Sequence, residues 1–213
     1  MTASNLTRRQ LAGGALALAT TGLLGAPLTA RAGDVKRFMT RVGRPEPIQA
    51  APDRATLVFV RPSAYGGAIN LPILDERGGW VGESRAKAYF SVTIAPGEQT
   101  FVVWSEGTNA MRGNFEAGKL YYVEVGFIIG AWSGRGRLFP IGPERPQWAE
   151  LPGWLDHSER WIVNDGAPED FAREDGAEAK QVAAKGVANY AGYTGEDLDM
   201  RTVRASDGVT APV

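Results

Sequence analysis

The chain has 213 residues, of which 44% are hydrophobic and 22% are charged, and it contains no cysteine. This composition is typical of a globular protein with one good core, and the missing thiols exclude disulfides, iron–sulfur clusters and thiolate zinc sites. The formal charge of −1 conceals a gradient, from +3 over residues 1–32 and +3 over residues 33–149 to −7 over residues 150–213. No dense basic face accompanies this gradient, so nucleic acid is not an expected partner.

Residues 1–32 have the pattern of a cleavable signal peptide. Arg8 and Arg9 precede a weakly apolar stretch over residues 11–24, and Ala30-Arg31-Ala32 supplies small residues at the positions that a signal peptidase reads. This stretch is shorter than the roughly 20 residues that span a bilayer, so we expect no transmembrane segment in the mature chain. The paired arginines resemble a bacterial twin-arginine signal, with the Sec route as the alternative. We therefore predict cleavage after Ala32 and a periplasmic or secreted protein.

The next two segments are predicted to be a lead-in and a β domain. Residues 33–54 carry Pro45, Pro47 and Pro52 without a sustained period and are expected to be extended. Residues 55–141 show short apolar runs closed by Gly, Pro or Asn, which is the pattern of an all-β domain. The runs cover residues 55–61, 68–74, 80–83, 88–94, 100–104, 109–115, 120–129 and 137–141. Their spacing of about ten residues predicts a mainly β fold, an antiparallel β-sandwich of about seven or eight strands.

Three parts of this β segment resemble a known family. Ala55-Thr-Leu-Val-Phe-Val-Arg61-Pro62-Ser63, Pro96-Gly97-Glu98-Gln99-Thr100 and Ala117-Gly118-Lys119-Leu120-Tyr121-Tyr122-Val123 are similar to the bacterial family called domain of unknown function 2846. The resemblance covers about residues 54–128 and implies a small, exported β-sandwich without an assigned activity. Members are often lipid-anchored through a cysteine, which this chain does not have.

Residues 142–213 are expected to form a Pro- and Trp-rich segment, a helix and a tail that pack on the sandwich. Trp148, Trp154 and Trp161 recur at near-regular intervals among prolines, and aromatic side chains usually pin such a segment onto a neighbouring surface. The alternative is that the three tryptophans form a docking patch for a partner. A helix start is predicted at residues 168–170, an Ala-rich helix at 178–190 and a short strand at 198–204.

Two side chains of the β segment are candidates for contact with a ligand or partner. Arg61 ends the first strand and would bind a carboxylate or a sugar phosphate, or else form an ion pair with a cross-strand acid such as Glu124. Tyr121 and Tyr122 must face opposite sides of a strand, so one is expected in the core and the other at the surface or beneath the tail. If Tyr122 is the outer one, its ring packs under the tail or stacks on a sugar ring.

Arg135 and Arg137, in Gly134-Arg-Gly-Arg, are the remaining candidates for ligand contact. Side chains two apart in a strand share a face, so these guanidinium groups would meet a phosphate together, or else belong to a solvated hairpin tip.

The sequence contains no recognisable set of catalytic residues. His157 is the only histidine, the neighbouring Asp156 would not orient its ring, and no Gly-x-Ser-x-Gly elbow is present. We expect His157 to be a surface residue or a helix cap. No catalytic, cofactor-binding or metal-binding residues are predicted, and no cofactor is expected.

These observations favour an exported, non-enzymatic β-sandwich that binds a protein or an envelope component. The first alternative is a periplasmic hydrolase or carbohydrate-active enzyme that uses carboxylates of the tail and His157. The second is a structural accessory of a larger exported complex, which would co-purify at fixed stoichiometry.

Overall fold

The computed structural model describes residues 38–43, 47–129 and 134–213. The predicted signal peptide, residues 1–32, and its cleavage point after Ala32 lie outside the described residues.

The described residues form eleven strands, four α-helices and two 3-10 turns. The strands are β1 (Met39–Val42), β2 (Ala55–Arg61), β3 (Leu71–Asp75), β4 (Trp80–Ser84), β5 (Ala88–Ile94), β6 (Gly97–Val103), β7 (Asn109–Phe115), β8 (Leu120–Ile129), β9 (Gly134–Ile141), β10 (Glu159–Val163) and β11 (Thr202–Val203). The α-helices are α1 (Leu151–Asp156), α2 (Ala167–Glu174), α3 (Gly176–Ala191) and α4 (Gly195–Asp199), and the 3-10 turns are Pro146–Ala149 and Ala205–Asp207.

The strands are arranged in two sheets. Sheet 1 has the order β1-β10-β5-β2-β8-β9, and sheet 2 has the order β11-β7-β6-β3-β4. The predicted mainly β fold is confirmed, but the described residues hold eleven strands where seven or eight were expected. The sheets are also mixed, because β2 and β8, β5 and β10, and β7 and β11 pair in parallel. Parallel neighbours need a long crossover connection, and alternation along a single strand does not reveal which neighbour it acquires.

Strand β2 lies in the interior of sheet 1, and all seven of its residues are buried. It pairs antiparallel with β5 over its full length and parallel with β8 from Thr56 to Val60. The continuous apolar character of this strand follows from that position, because both of its faces are covered.

Side chains from the two sheets meet in one hydrophobic core. Phe59 of β2 stacks on Phe90 of β5 with ring centroids 5.1 Å apart, and it meets Phe101 of β6 nearly at right angles at 5.9 Å. All three rings are buried, and burying one such side chain contributes about 1.5–3 kcal/mol. The two sheets are therefore held together chiefly by this aromatic contact and its aliphatic neighbours.

The segments before and after the β domain complete sheet 1. Strand β1 pairs antiparallel with β10, from Met39 opposite Val163 to Val42 opposite Arg160. Strand β10 in turn pairs parallel with β5, where Trp161 lies opposite Phe90. Residues far apart in the sequence thus form one edge of the sheet.

Helix α3 covers sheet 2 on the side of β6 and β7. Its buried side consists of Ala179, Ala183, Gly186 and Tyr190, so the predicted Ala-rich helix is confirmed. Gly186 allows the close approach, because a Cβ atom at this position would lie 2.5 Å from Cγ1 of Val102. The predicted helix start is also confirmed, since α2 begins at Ala167 with two acidic residues in its first turn.

A buried ion pair ties the C-terminal segment to the end of β9. Nε and Nη2 of Arg145 donate to the two carboxylate oxygens of Asp207, each at 2.8 Å, and Nη2 also donates to the Thr202 carbonyl at 2.7 Å. Both side chains are more than nine-tenths buried. This bidentate geometry fixes the tail beside sheet 2.

Candidate functional site

The outer face of sheet 1, which points away from sheet 2, carries its own apolar cluster. Side chains alternate along β2 and β8, so Val58, Val60 and Tyr122 lie opposite to the core side. Leu151 of the tail belongs to this cluster, and partly buried side chains from the lead-in, from β5 and from the tail pack around it. Those partly buried hydrophobic residues are Ile48, Ala50, Tyr89, Trp148, Trp154, Leu155 and Val209.

The opposite orientation of the two tyrosines is confirmed. Tyr121 belongs to the core between the sheets, and Tyr122 belongs to the outer cluster beneath the tail. Burial raises the pKa of the Tyr122 phenol, so this hydroxyl is neutral at physiological pH. Its oxygen accepts a hydrogen bond from the backbone N–H of Val213 at 3.3 Å. The ring of Trp148 meets the Tyr122 ring edge-on at 6.1 Å.

A groove of about 600 Å³, which we call the tyrosine groove, opens beside this cluster. Its hydrophobic lining includes Tyr89, Tyr122, Ile48 and Leu155. The full lining consists of Arg41, Val42, Gly43, Pro47, Ile48, Tyr89, Tyr122, Leu155, Asp156, Ser158, Glu159, Arg160, Pro212 and Val213. The groove therefore combines hydrophobic side chains with charged side chains of both signs.

The ion pair between Arg41 and Glu159 in the tyrosine groove can be broken with little loss of stability. Arg41 donates from Nη1 to Oε1 of Glu159 at 2.6 Å, and both side chains are more than half exposed. Exposed ion pairs of this kind contribute about 0–1 kcal/mol, because water screens them. A ligand can thus engage either partner without a large loss of stability.

A second depression of about 450 Å³, which we call the lysine depression, lies beside α1. Its lining consists of Pro62, Lys87, Ala149, Glu150, Gly153, Trp154 and His157. His157 is exposed and caps the C-terminal end of α1, as predicted. Its Nδ1 lies 2.7 Å from the Gly153 carbonyl oxygen, which can only accept, so Nδ1 carries a hydrogen and Nε2 is left for another partner.

Lys87 holds an unusual backbone conformation at this depression. Its φ of 52° makes it the non-glycine residue with positive φ among the described residues. The loop is held by two hydrogen bonds, from the Lys87 N–H to the Ser63 carbonyl at 3.3 Å and from the Glu159 N–H to the Lys87 carbonyl at 2.8 Å. Backbone strain of this kind persists where the surrounding structure over-determines it, and it is concentrated at functional sites.

Glu124 on the outer face of sheet 1 has a raised pKa. Burial raises the pKa of Glu124, and the negative charge of Glu150 raises it further. Glu150 belongs to the lysine depression and Glu124 points outward from β8. The charge of Glu150 in the lysine depression therefore acts on Glu124 on the outer face of sheet 1.

Arg61 is fully buried, and its partners differ from the acid we expected. Its guanidinium donates to the carbonyl oxygens of Ile69, Tyr65 and Gly66 at 2.8, 2.7 and 3.0 Å. The expected partner, Glu124, lies level with Val60 and so projects from the opposite face of the sheet.

Burial also affects the charge of Arg61 and its access to a ligand. It lowers the pKa of the guanidinium, which also lies 4.6 Å from the centroid of the Phe127 ring. Arg61 thus anchors the loop over residues 62–70, and no face of its side chain is open to a ligand.

The other candidates are distributed over different surfaces. Arg135 is exposed and Arg137 is half-buried, and the two alternate with buried residues on β9, the edge strand of sheet 1. Trp161 packs against the core between the sheets, where the Arg85 guanidinium lies 4.2 Å from its ring. Trp148 and Trp154 belong to the outer cluster, so the three tryptophans do not form a single surface.

Sequence reasoning missed Tyr89, Leu155 and Lys87. Tyr89 looked like one residue of an alternating strand, and its position in the tyrosine groove depends on the parallel pairing of β10 with β5. Lys87 could have been suspected, because it separates two strands where a turn residue with positive φ is needed, but lysine is an unusual choice there.

Within residues 38–43, 47–129 and 134–213, no helix is both long and apolar enough to cross a membrane. The same residues contain no group of three or more His, Asp or Glu side chains that could hold a metal ion. Comparison of the chain with family models, curated proteins and solved structures found no match. The resemblance to the domain of unknown function 2846 family stays a prediction.

Proposed function

We propose that this chain is an exported, non-enzymatic β-sandwich protein that binds an extended segment of another envelope protein in the tyrosine groove. Export is supported by the sequence alone, through Arg8-Arg9, the apolar stretch and Ala30-Arg31-Ala32. The β-sandwich is supported by two sheets that share one core.

The hydrogen bond from the Val213 N–H to the Tyr122 hydroxyl carries the proposal. It is a peptide N–H bound in the groove, so the groove already has the chemistry that recognises a polypeptide backbone. A partner segment would use the same hydroxyl and lay apolar side chains on Tyr89 and Leu155. The surrounding charges would then select the partner by its own charges.

A photo-crosslinking experiment tests this function. We expect a benzoyl-phenylalanine in place of Tyr89 to capture a discrete envelope protein in living cells, and one in place of the exposed Arg135 not to capture it. The captured segment is then made as a synthetic peptide. Tyr122→Phe should weaken its binding by roughly threefold to tenfold, because only one hydrogen bond is lost. Identical capture from both positions, or unchanged binding by the Tyr122→Phe variant, would refute the groove as the binding site.

Export has its own test, which does not depend on the partner. We expect the mature protein to begin at Gly33 and to be found in the periplasmic or secreted fraction. Substituting both Arg8 and Arg9 by Lys should block export if the route is twin-arginine and should have little effect if it is Sec. A cytoplasmic protein with an intact N-terminus would refute export.

A carbohydrate-active hydrolase is the second candidate function, and the raised pKa of Glu124 is the observation that favours it. A carboxyl group whose pKa is raised by burial is suited to act as a general acid, and Glu150 with His157 would provide the partner groups. The test is hydrolysis of a panel of chromogenic glycosides. Activity that disappears in both Glu124→Gln and Glu150→Gln would establish the hydrolase in place of the binding protein.

A further inference from the structure

The lysine depression brings an aromatic residue together with basic, acidic and imidazole side chains. Trp154 contributes an indole next to polar atoms of three kinds: the Lys87 ammonium, the Glu150 carboxylate and Nε2 of His157. The ammonium only donates hydrogen bonds, the carboxylate only accepts them, and Nε2 accepts when the ring is neutral. None of these three groups forms a salt bridge with a described residue.

The combination of an indole, an ammonium, a carboxylate and an imidazole nitrogen indicates which class of ligand would bind. The opposite charges of Lys87 and Glu150 offset each other, so the depression favours neither an anion nor a cation. A polyhydroxylated ring suits all three groups, because each hydroxyl both donates and accepts, and its apolar C–H face suits the indole. We propose that the lysine depression binds one sugar ring of an envelope glycan.

The backbone at Lys87 supports a built site. Any L-residue in this conformation carries a steric cost, which glycine would not. The loop nevertheless has lysine at this position, and Lys87 lines the depression. A contribution of the Lys87 ammonium to ligand binding would explain this strain. The strained backbone would lower the stability of the fold, and the lysine would raise the affinity for the ligand.

The sugar site and the tyrosine groove flank the same helix end. Leu155 and Asp156 line the groove, whereas Gly153, Trp154 and His157 line the depression. The inference does not rest on the proposed binding of a protein segment, since it uses a different set of side chains. A protein with both sites would attach a protein partner to a glycan of the envelope.

Saturation-transfer NMR and isothermal titration with the full mature chain test the sugar site. The probes are chitotetraose, cellotetraose and a soluble muramyl disaccharide fragment. We expect at least one probe to bind, and Trp154→Ala to weaken its binding about tenfold because stacking is lost. Binding that is unchanged in Trp154→Ala, or no binding of any probe at millimolar concentration, would overturn the proposal.

The variant Lys87→Gly keeps the test decisive if Trp154→Ala unfolds, since Trp154 also packs on the outer cluster. Glycine relieves the positive φ, so this variant should be as stable as the parent or more stable. It should still bind the sugar probe roughly threefold to tenfold more weakly, because one charged hydrogen-bond donor is lost. A matched control at an exposed residue of β9, Arg135→Ala, should leave sugar binding unchanged. Equal sugar affinity of Lys87→Gly and the parent would overturn the site.

Discussion

Arg61 provides the most direct test of how the β domain is held together. Its guanidinium donates three hydrogen bonds to carbonyl oxygens of the loop over residues 62–70, and the side chain is 0% exposed. Replacing it in Arg61→Met removes the guanidinium donor from all three carbonyls and the cation from above the Phe127 ring. Of the three, the Gly66 carbonyl keeps a second donor, the Ile69 N–H at 2.9 Å. The flexible methionine still fills most of the volume.

The expected loss can be worked out from these contacts. Three hydrogen bonds to a charged donor contribute about 1.5 kcal/mol each, or about 4–5 kcal/mol together. Removing a buried cation that has no acidic partner returns part of this free energy, because the desolvation cost disappears. We expect a net destabilisation of about 3 kcal/mol, which with an m-value of about 2 kcal/mol per M lowers the urea midpoint by about 1.5 M.

Urea unfolding followed by tryptophan fluorescence measures this change. The exposed Arg135→Met is the matched control, and its unfolding free energy should stay within about 0.5 kcal/mol of the parent. Arg61→Lys should be intermediate, because one ammonium cannot reach three carbonyl groups in the same geometry. A loss below about 1 kcal/mol in Arg61→Met would show that water replaces the guanidinium and would refute its anchoring role.

Three further changes test the tail, the outer face and the helix contact. Asp207→Asn leaves the buried Arg145 guanidinium without its counter-charge and should cost about 3–5 kcal/mol in urea unfolding. Glu124 has a folded-state pKa raised above its unfolded value, so its contribution to stability should be fully present below the unfolded pKa and should be lost as the pH rises to the folded pKa. Glu124→Gln should flatten that part of the stability–pH curve. Gly186→Ala should lower the thermal midpoint, because the new Cβ atom would lie 2.5 Å from Val102 and overpacking costs about 1–3 kcal/mol.

Each of these three has a result that would contradict it. An Asp207→Asn variant as stable as the parent would contradict the role of the buried ion pair. A stability–pH curve that Glu124→Gln leaves unchanged would contradict the role of Glu124 on the outer face. For the helix, Gly176→Ala is the control, since its Cβ atom would meet Ala172 at an ordinary 3.7 Å. Equal thermal midpoints for both glycine variants would exclude a specific clash with Val102.

Local patterns in the sequence were sufficient for several elements of the fold. Strand β2, strand β5, strand β7 and strand β8 were predicted with the bounds that the structure has. Apolar alternation and turn residues are short-range signals, so they survive in the sequence without knowledge of neighbours. The opposite orientation of Tyr121 and Tyr122 follows from the same period of two.

The candidate sites were decided by tertiary structure. Arg61 at a strand end was compatible with a ligand site or an ion pair, and only the fold of the following loop directs three carbonyl oxygens at it. The tyrosine groove requires β1 and β10, two short strands far apart in the sequence, to meet at the edge of sheet 1.

The sequence by itself determined a mainly β chain with an Ala-rich helix near its end, because these are properties of neighbouring residues. It also showed that Arg61, Tyr122 and Trp154 merit attention, though it could not assign their partners. The tertiary structure decided that Arg61 is architectural, that Tyr122 belongs to a groove, and that Trp154 joins Lys87 and His157 in a depression. The physical reason is range: strand and helix periods repeat within a few residues, whereas a site is assembled from side chains that only the packing of the whole chain brings together.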